Sequence, residues 1–268
     1  MPSIFPLEIE ETILDFLAED DRGHSDLKIC SLVCQAFLHI CRKHIFGDIV
    51  LNRRDAEGSS PRPTSHAFER LLRETPEIAD FVHKLDFTIR YEDVTNPSIQ
   101  ESLKLISKVE FLTVRSSFWI LSWSNSLIRP ALLHLLHLPT LTHFKMEGIY
   151  NFLISDLIPS INLKYLGIVN MMSVADETTF PGVFPERSIQ LNEFDVGFGN
   201  PARAALTIAS IKKLCTARRP DGQPIINFRS LSKITVPVAF TEANDEFLRD
   251  LFRHCPFLTN VDININCK

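Results

Sequence analysis

Val82-His-Lys-Leu85-Asp-Phe87, Val109-Glu-Phe-Leu112-Thr-Val114 and Leu141-Thr-His-Phe144-Lys-Met146 repeat one pattern, apolar-x-x-apolar-x-apolar. It returns at Leu163/Leu166/Ile168, Leu191/Phe194/Val196, Leu231/Ile234/Val236 and Leu258/Val261/Ile263. Successive copies begin 22 to 40 residues apart, about 29 on average. The alternation that closes each copy predicts a short strand with one buried face. Between the copies, residues 68–73, 98–106, 127–138, 152–158, 202–217 and 243–254 carry helical patterns. Pro139 and Pro256 stand two residues before a strand, where proline ends the preceding helix. One strand and one helix per unit predicts an α/β protein with a parallel sheet. No unit can bury its apolar face alone, so the stack is the folding unit.

Signature and period together resemble those of leucine-rich-repeat proteins. The resemblance implies a curved solenoid over residues 68–268, with parallel strands inside and helices outside. Leucine-rich repeats place Asn or Cys three residues past the signature. Here those positions hold Arg90, Ser117, Ile149, Met171, Gly199, Ala239 and Asn266, so the turns are expected to be irregular. Extra loops are expected within 171–190 and 199–230.

Residues 1–51 read as a separate helical unit. Pro6 suits a first helical position, and Glu8, Glu10 and Glu11 favour a helix N-terminus. Ile9, Ile13, Phe16 and Leu17 follow at helical spacing. A second helix carries two apolar stripes, Leu27/Cys30/Cys34/Phe37/Cys41 and Ile29/Val33/Ala36/Ile40, which asks for two packing partners. A unit of fifty residues buries little surface by itself. The polar, proline-containing stretch 52–67 reads as a linker.

Phe5-Pro6-x-Glu8-Ile9, Ile13-Leu14, Leu17 and Leu27-x2-Cys30-Ser-Leu-Val-Cys34-x2-Phe37 together resemble an F-box, in particular the fungal F-box-like domains. The resemblance implies a three-helix module that binds a Skp-family adaptor, and through it a cullin–RING ubiquitin ligase. Carried over position by position, it implies adaptor contacts at Pro6, Ile9, Ile13, Leu14, Leu17, Leu27, Val33, Cys34 and Phe37. The chain would then be the substrate adaptor of a ubiquitin ligase complex, with the solenoid holding an unidentified protein client. The rival expectation is a repeat scaffold without a ligase, its N-terminal helices packed inward as a cap.

Composition fits a folded chain: 45% hydrophobic and 23% charged residues. A formal net charge of −5 gives no global field for nucleic acid or anionic membrane. No apolar run reaches bilayer length, and the N-terminus lacks the basic region of a secretory signal. The six cysteines read as reduced thiols. These features lead to the expectation of a cytoplasmic or nuclear protein. Cys30, Cys34, His39, Cys41 and His44 cluster, but their helical apolar positions explain them better than a zinc knuckle does. Gly197-Phe-Gly199 lacks the third glycine of a dinucleotide loop. His134 and His137 read as helix residues, and Phe118, Trp119 and Trp123 as packing aromatics. Nothing assembles a nucleophile, base and oxyanion donor, so neither an enzyme nor a cofactor is expected. The enzymatic rival would have to hide a site in the 171–230 insertions.

Client recognition is expected on the exposed face of the strands. Its candidate residues are Lys84, Arg115, His143, Lys145, Tyr165, Glu193 and Asp195. Basic residues favour the early repeats and acids the later ones, a mixed-sign face suited to protein recognition.

Overall fold

Two glutamates in its first turn favour α1 (Leu7–Asp20). The stretch expected to continue as one second helix divides into α2 (Ser25–Cys30) and α3 (Gln35–Ile45). The local chemistry explains the break. The Ser31 hydroxyl donates to the Lys28 carbonyl at 2.7 Å, and the amides of Leu32 and Val33 close tight turns onto Ile29 and Cys30. Cys34 is then extended and starts a new helix. Neither of the two stripes read across 27–41 therefore runs along one continuous helix. Arg42, Lys43 and His44 occupy the last turn of α3, the end that favours cations.

A computed structural model describes residues 6–20, 25–52, 63–117, 121–170, 173–174, 185–197, 204–238, 249, 252–253 and 255–265. The chain is mixed α/β, and its centre is an eight-stranded parallel sheet. Its strands are β1 (Asp48–Leu51), β2 (Lys84–Ile89), β3 (Phe111–Ser116), β5 (His143–Glu147), β7 (Tyr165–Val169), β9 (Glu193–Gly197), β11 (Lys233–Val238) and β12 (Asn260–Ile265), paired in that order. Two-residue strands form side ladders: β4 (Leu121–Ser122) with β6 (Ile149–Tyr150), and β8 (Ile189–Gln190) with β10 (Ile226–Asn227). The seven signature copies fall on β2, β3, β5, β7, β9, β11 and β12. The first six bury all three of their apolar residues. In β12, by contrast, Val261 is exposed.

Strand Asp48–Leu51 corrects the boundary drawn at residue 51. These residues, expected in the N-terminal unit, form the first strand of the sheet, with Ile49 and Leu51 in the main core. Asn52 follows with φ of 60°, and its amide ties the strand exit to Thr88 and Asp93. Residue 52 and the end of the supposed linker are thus structured, since α4 (Ser65–Glu74) begins at Ser65 behind a Thr64 cap. Residues 53–62 lie outside the described ones. Asn151 and Asn170 also take positive φ, each one residue past a strand. Left-handed asparagines turn these corners, a conformation few other side chains tolerate.

The strand connections carry α4, a 3-10 segment Pro76–Phe81, α5 (Tyr91–Thr95), α6 (Pro97–Lys104), α7 (Arg129–Leu136), a 3-10 segment Ile154–Leu157 and α8 (Ala204–Thr216). Segment 152–158, expected to be an α-helix, forms only that short 3-10 turn. Most of 243–254 lies outside the described residues. Buried residues of these helices share one continuous core with the inward residues of the strands. The opposite face of the sheet carries polar and aromatic side chains. Among the described residues no helix is long and apolar enough to cross a membrane.

A second, smaller core belongs to α1, α2 and α3: Leu14, Leu27, Ile40 and Cys41, with Leu17, Cys30 and Phe37 packed against it. Helix α3 joins this unit to the rest. His39 meets Phe81 edge-on at 5.2 Å, and Arg42 reaches Glu77 at 3.2 Å.

Candidate functional site

Helix α1 has two apolar faces, and the structure uses one. Leu14 packs inward with Leu17 and Ala18. Ile9, Ile13 and Phe16, spaced i, i+4 and i+7, form the adjacent strip and lie outside, as does Leu7. Ile29, Leu32 and Val33, at the end of α2 and in its closing turn, are exposed as well. These seven side chains are 45% to 84% exposed, although each would gain about 1.5–3 kcal/mol from burial. Such a concentration on one small unit is the kind of surface that marks an interaction site.

The nine positions expected to meet an adaptor separate into two groups. Pro6, Ile9, Ile13, Val33 and Cys34 are exposed. Leu14 and Leu27 are enclosed at 1% and 0% exposure, and Leu17 and Phe37 pack partly against the same small core. Leu14 and Leu27 therefore hold the helices together and are not outward contacts. Phe16, Ile29 and Leu32 were missed. Periodicity reveals two apolar faces on a helix without saying which one the fold covers.

The open sheet face brings all seven candidate client residues together. In-register pairing places Lys84, Phe111, His143, Tyr165, Glu193 and Lys233 in one row across neighbouring strands. The Phe111 and His143 rings stack at 4.1 Å, and His143 and Tyr165 at 5.5 Å. The Lys84 ammonium lies 5.3 Å from the Phe111 ring centre, a cation–π contact. Burial lowers the His143 pKa, against the opposing pull of Glu193 and Glu110. The next row contains Gly167. A Cβ there would lie 2.8 Å from the Tyr165 hydroxyl and 2.9 Å from Lys145 Cγ. The missing side chain lets both neighbours reach over it to Asp195 Oδ2, each at 3.0 Å. Burial, then the Asp195 charge, raises the Tyr165 pKa.

Charges on this face neutralise one another across strands. Arg115 binds Asp86 and, at 3.0 Å, Glu147. Burial opposes its charge, but the two carboxylates outweigh that and raise its pKa. Lys233 lies 3.6 Å from Glu193. The expected division into a basic early half and an acidic late half is thus replaced by local pairs, which register creates and a linear reading cannot see. The aromatic row is the feature the pairs leave on offer.

Other chemistry-bearing residues have structural tasks. Among the described residues, no group of three His, Cys, Asp or Glu side chains could hold a metal ion. Burial raises the pKa of Cys41 to about 11, with help from Cys30 and Cys34. It raises Cys215 to about 12 and Cys255 to about 11. These thiols are weak nucleophiles near neutral pH. His134 and His137 bond the carbonyls of Ile106 and Asp156. Trp123 is buried, while Phe118 and Trp119 lie outside the described residues. No protein-family model, curated protein or solved structure matches the chain.

Proposed function

We propose that this chain is an F-box-type substrate-recognition subunit of a Skp–cullin–F-box ubiquitin ligase. The N-terminal three-helix unit would bind the Skp-family adaptor, and the strand-and-helix repeat would act as a leucine-rich-repeat-like solenoid that holds a protein client. The observation that carries this reading is the exposed apolar set Ile9, Ile13, Phe16, Ile29, Leu32 and Val33 on helices with a separate core of their own. Helices that served only as a cap would turn that surface inward.

The mechanism is proximity. Holding a client lysine near a charged conjugating enzyme raises the effective concentration of the reacting groups, and the chain supplies no acid, base or metal to the transfer. The client would lie along the aromatic row Phe111, His143 and Tyr165, with the flanking ion pairs fixing orientation more than affinity. Assembly is the test. Mixed with a purified Skp-family adaptor and cullin, the full chain elutes from a sizing column as a ternary complex that requires the adaptor. Separate elution of the folded chain would overturn the reading and leave a repeat protein with other partners.

A further inference from the structure

Strand β1 ends the large sheet and, among the described residues, pairs on one side only, with β2. Alternate residues of a strand serve opposite neighbours, as β2 shows. The Lys84 amide donates to the Gly47 carbonyl at 2.8 Å, while the His83 carbonyl accepts from the Phe111 amide at 3.1 Å. The same alternation turns Gly47, Ile49 and Leu51 toward β2 and sends the main-chain groups of Asp48 and Val50 outward. Asn52, next in that phase, already donates its amide to the Pro63 carbonyl at 3.1 Å. Asp48 and Val50 meet no main-chain partner on that side among the described residues. An unpaired strand edge is a template for another extended chain.

A cavity of about 420 Å³ borders this edge, lined by Asp48, Ile49 and Val50 and, among the described residues, by none of β2. Its other walls are Lys28 of α2, Ile45 and Phe46 at the end of α3, and a flank of α4 that includes Phe68 and Leu71. Most of this lining is apolar. Charges of both signs stand around it: Lys28 and Arg70, Asp48 and Glu74. All four residues are exposed, and none forms an ion pair among the described residues. A compact apolar ligand would fill the hollow and leave the main-chain groups of the edge unanswered. An extended polypeptide answers both. Its backbone continues the sheet, alternate side chains enter the apolar hollow, and flanking charges meet those around it.

We propose that an extended apolar segment of a protein partner, flanked by charges of both signs, adds as a further strand to the outer edge of β1. The proposal does not rest on the ligase reading.

The probe is the synthetic peptide Lys-Thr-Val-Thr-Val-Thr-Val-Glu, titrated into the isotope-labelled full chain and followed by magnetic resonance. The Asp48 and Val50 amide signals shift, and both amides become protected from hydrogen exchange. The same peptide with its inner amides N-methylated does not bind. Val50→Pro removes the outward donor and leaves the bonds to β2 in place, because proline is tolerated on an edge strand with its nitrogen facing out. It weakens binding by about fivefold or more. Ala67→Glu, at an exposed position lining the hollow, sets a carboxylate against the entering side chains and weakens binding by about tenfold or more. Leu105→Glu adds the same charge at an exposed site elsewhere and leaves affinity unchanged. Circular dichroism checks folding, and Ala67→Glu carries the test should Val50→Pro lose the wild-type spectrum. No binding by the wild type at millimolar peptide, equal binding of the N-methylated peptide, or wild-type affinity in either folded hollow or edge variant would overturn the proposal. So would amides of Asp48 and Val50 already protected in the free chain, by its own segment or by a second copy.

Discussion

Asp156 holds three elements together with one buried carboxylate. It accepts from Trp123 Nε1 at 2.6 Å and from Arg129 Nη2 and Nε at 2.6 and 2.9 Å, while its backbone carbonyl is bonded by His137 at 2.8 Å. Removing this carboxylate leaves the buried Trp123 Nε1–H without its acceptor and takes the bidentate partner from the part-buried Arg129 guanidinium. Asp156→Ala therefore lowers unfolding free energy by about 3 kcal/mol in urea denaturation; a change within the scatter of surface substitutions would contradict this. Asp93 is a different case. Its carboxylate accepts from Ser65, from Asn52 Nδ2 at 2.9 Å and from the Arg90 amide at 2.7 Å, yet burial dominates and raises its pKa. A raised folded-state pKa means that stability is fully present below the unfolded-state value and lost as pH rises through the folded one. The stability of wild type relative to Asp93→Asn should therefore fall as pH is raised from about 3 to 7. Denaturation across that range checks the sign, and a rising difference would show that the hydrogen bonds outweigh burial.

Short elements decided how far the sequence could be read. The signature copies located seven strands because each joins an entering apolar residue to a period-two alternation, and six bury all three positions. Strand Asp48–Leu51 escaped because four residues give too short a window for a period, and its neighbour in the sheet lies over thirty residues away. The helix break at Ser31–Cys34 was hidden by apolar residues that fit a continuous stripe. What divides them is a serine hydroxyl bonding backward, a local competition with the helix that composition does not reveal. The ion pairs of the sheet face and the Asp156 network required register and tertiary packing. At the start of α3, Cys34 occupies the cap position in extended backbone without a side-chain cap bond. Cys34→Ser supplies an acceptor there and should stabilise the chain by about 1 kcal/mol, seen as a raised melting temperature. An unchanged or lower melting temperature would show that the serine hydroxyl does not reach the free amides.

Over the whole molecule, two cores divide the work. The large core runs through the parallel sheet and its covering helices, while the small one needs only α1, α2 and α3. The small unit is fixed through α3 yet leaves its apolar strips on α1 and at residues 29–33 uncovered. The parts of the proposed site legible in the sequence were the outward positions Ile9, Ile13 and Val33, and the presence of more apolar surface than one small helical unit can bury. The division between Leu14 inside and Ile13 outside was not legible, because adjacent residues on a helix differ by a rotation that only the packing partner fixes.

That division makes the adaptor reading testable without unfolding the chain. Polar substitution of Leu14 would break the small core, whereas Ile13 and Val33 are already in water. The decisive measurement is a calorimetric titration of a purified Skp-family adaptor with the full chain, wild type against Ile13→Glu/Val33→Glu, with circular dichroism of both. The account predicts a one-to-one complex for the wild type and affinity reduced by about a hundredfold or more in the variant, with unchanged dichroism, because charges enter the buried centre of an interface. A folded wild type that does not bind, or a folded variant that binds equally well, would contradict it.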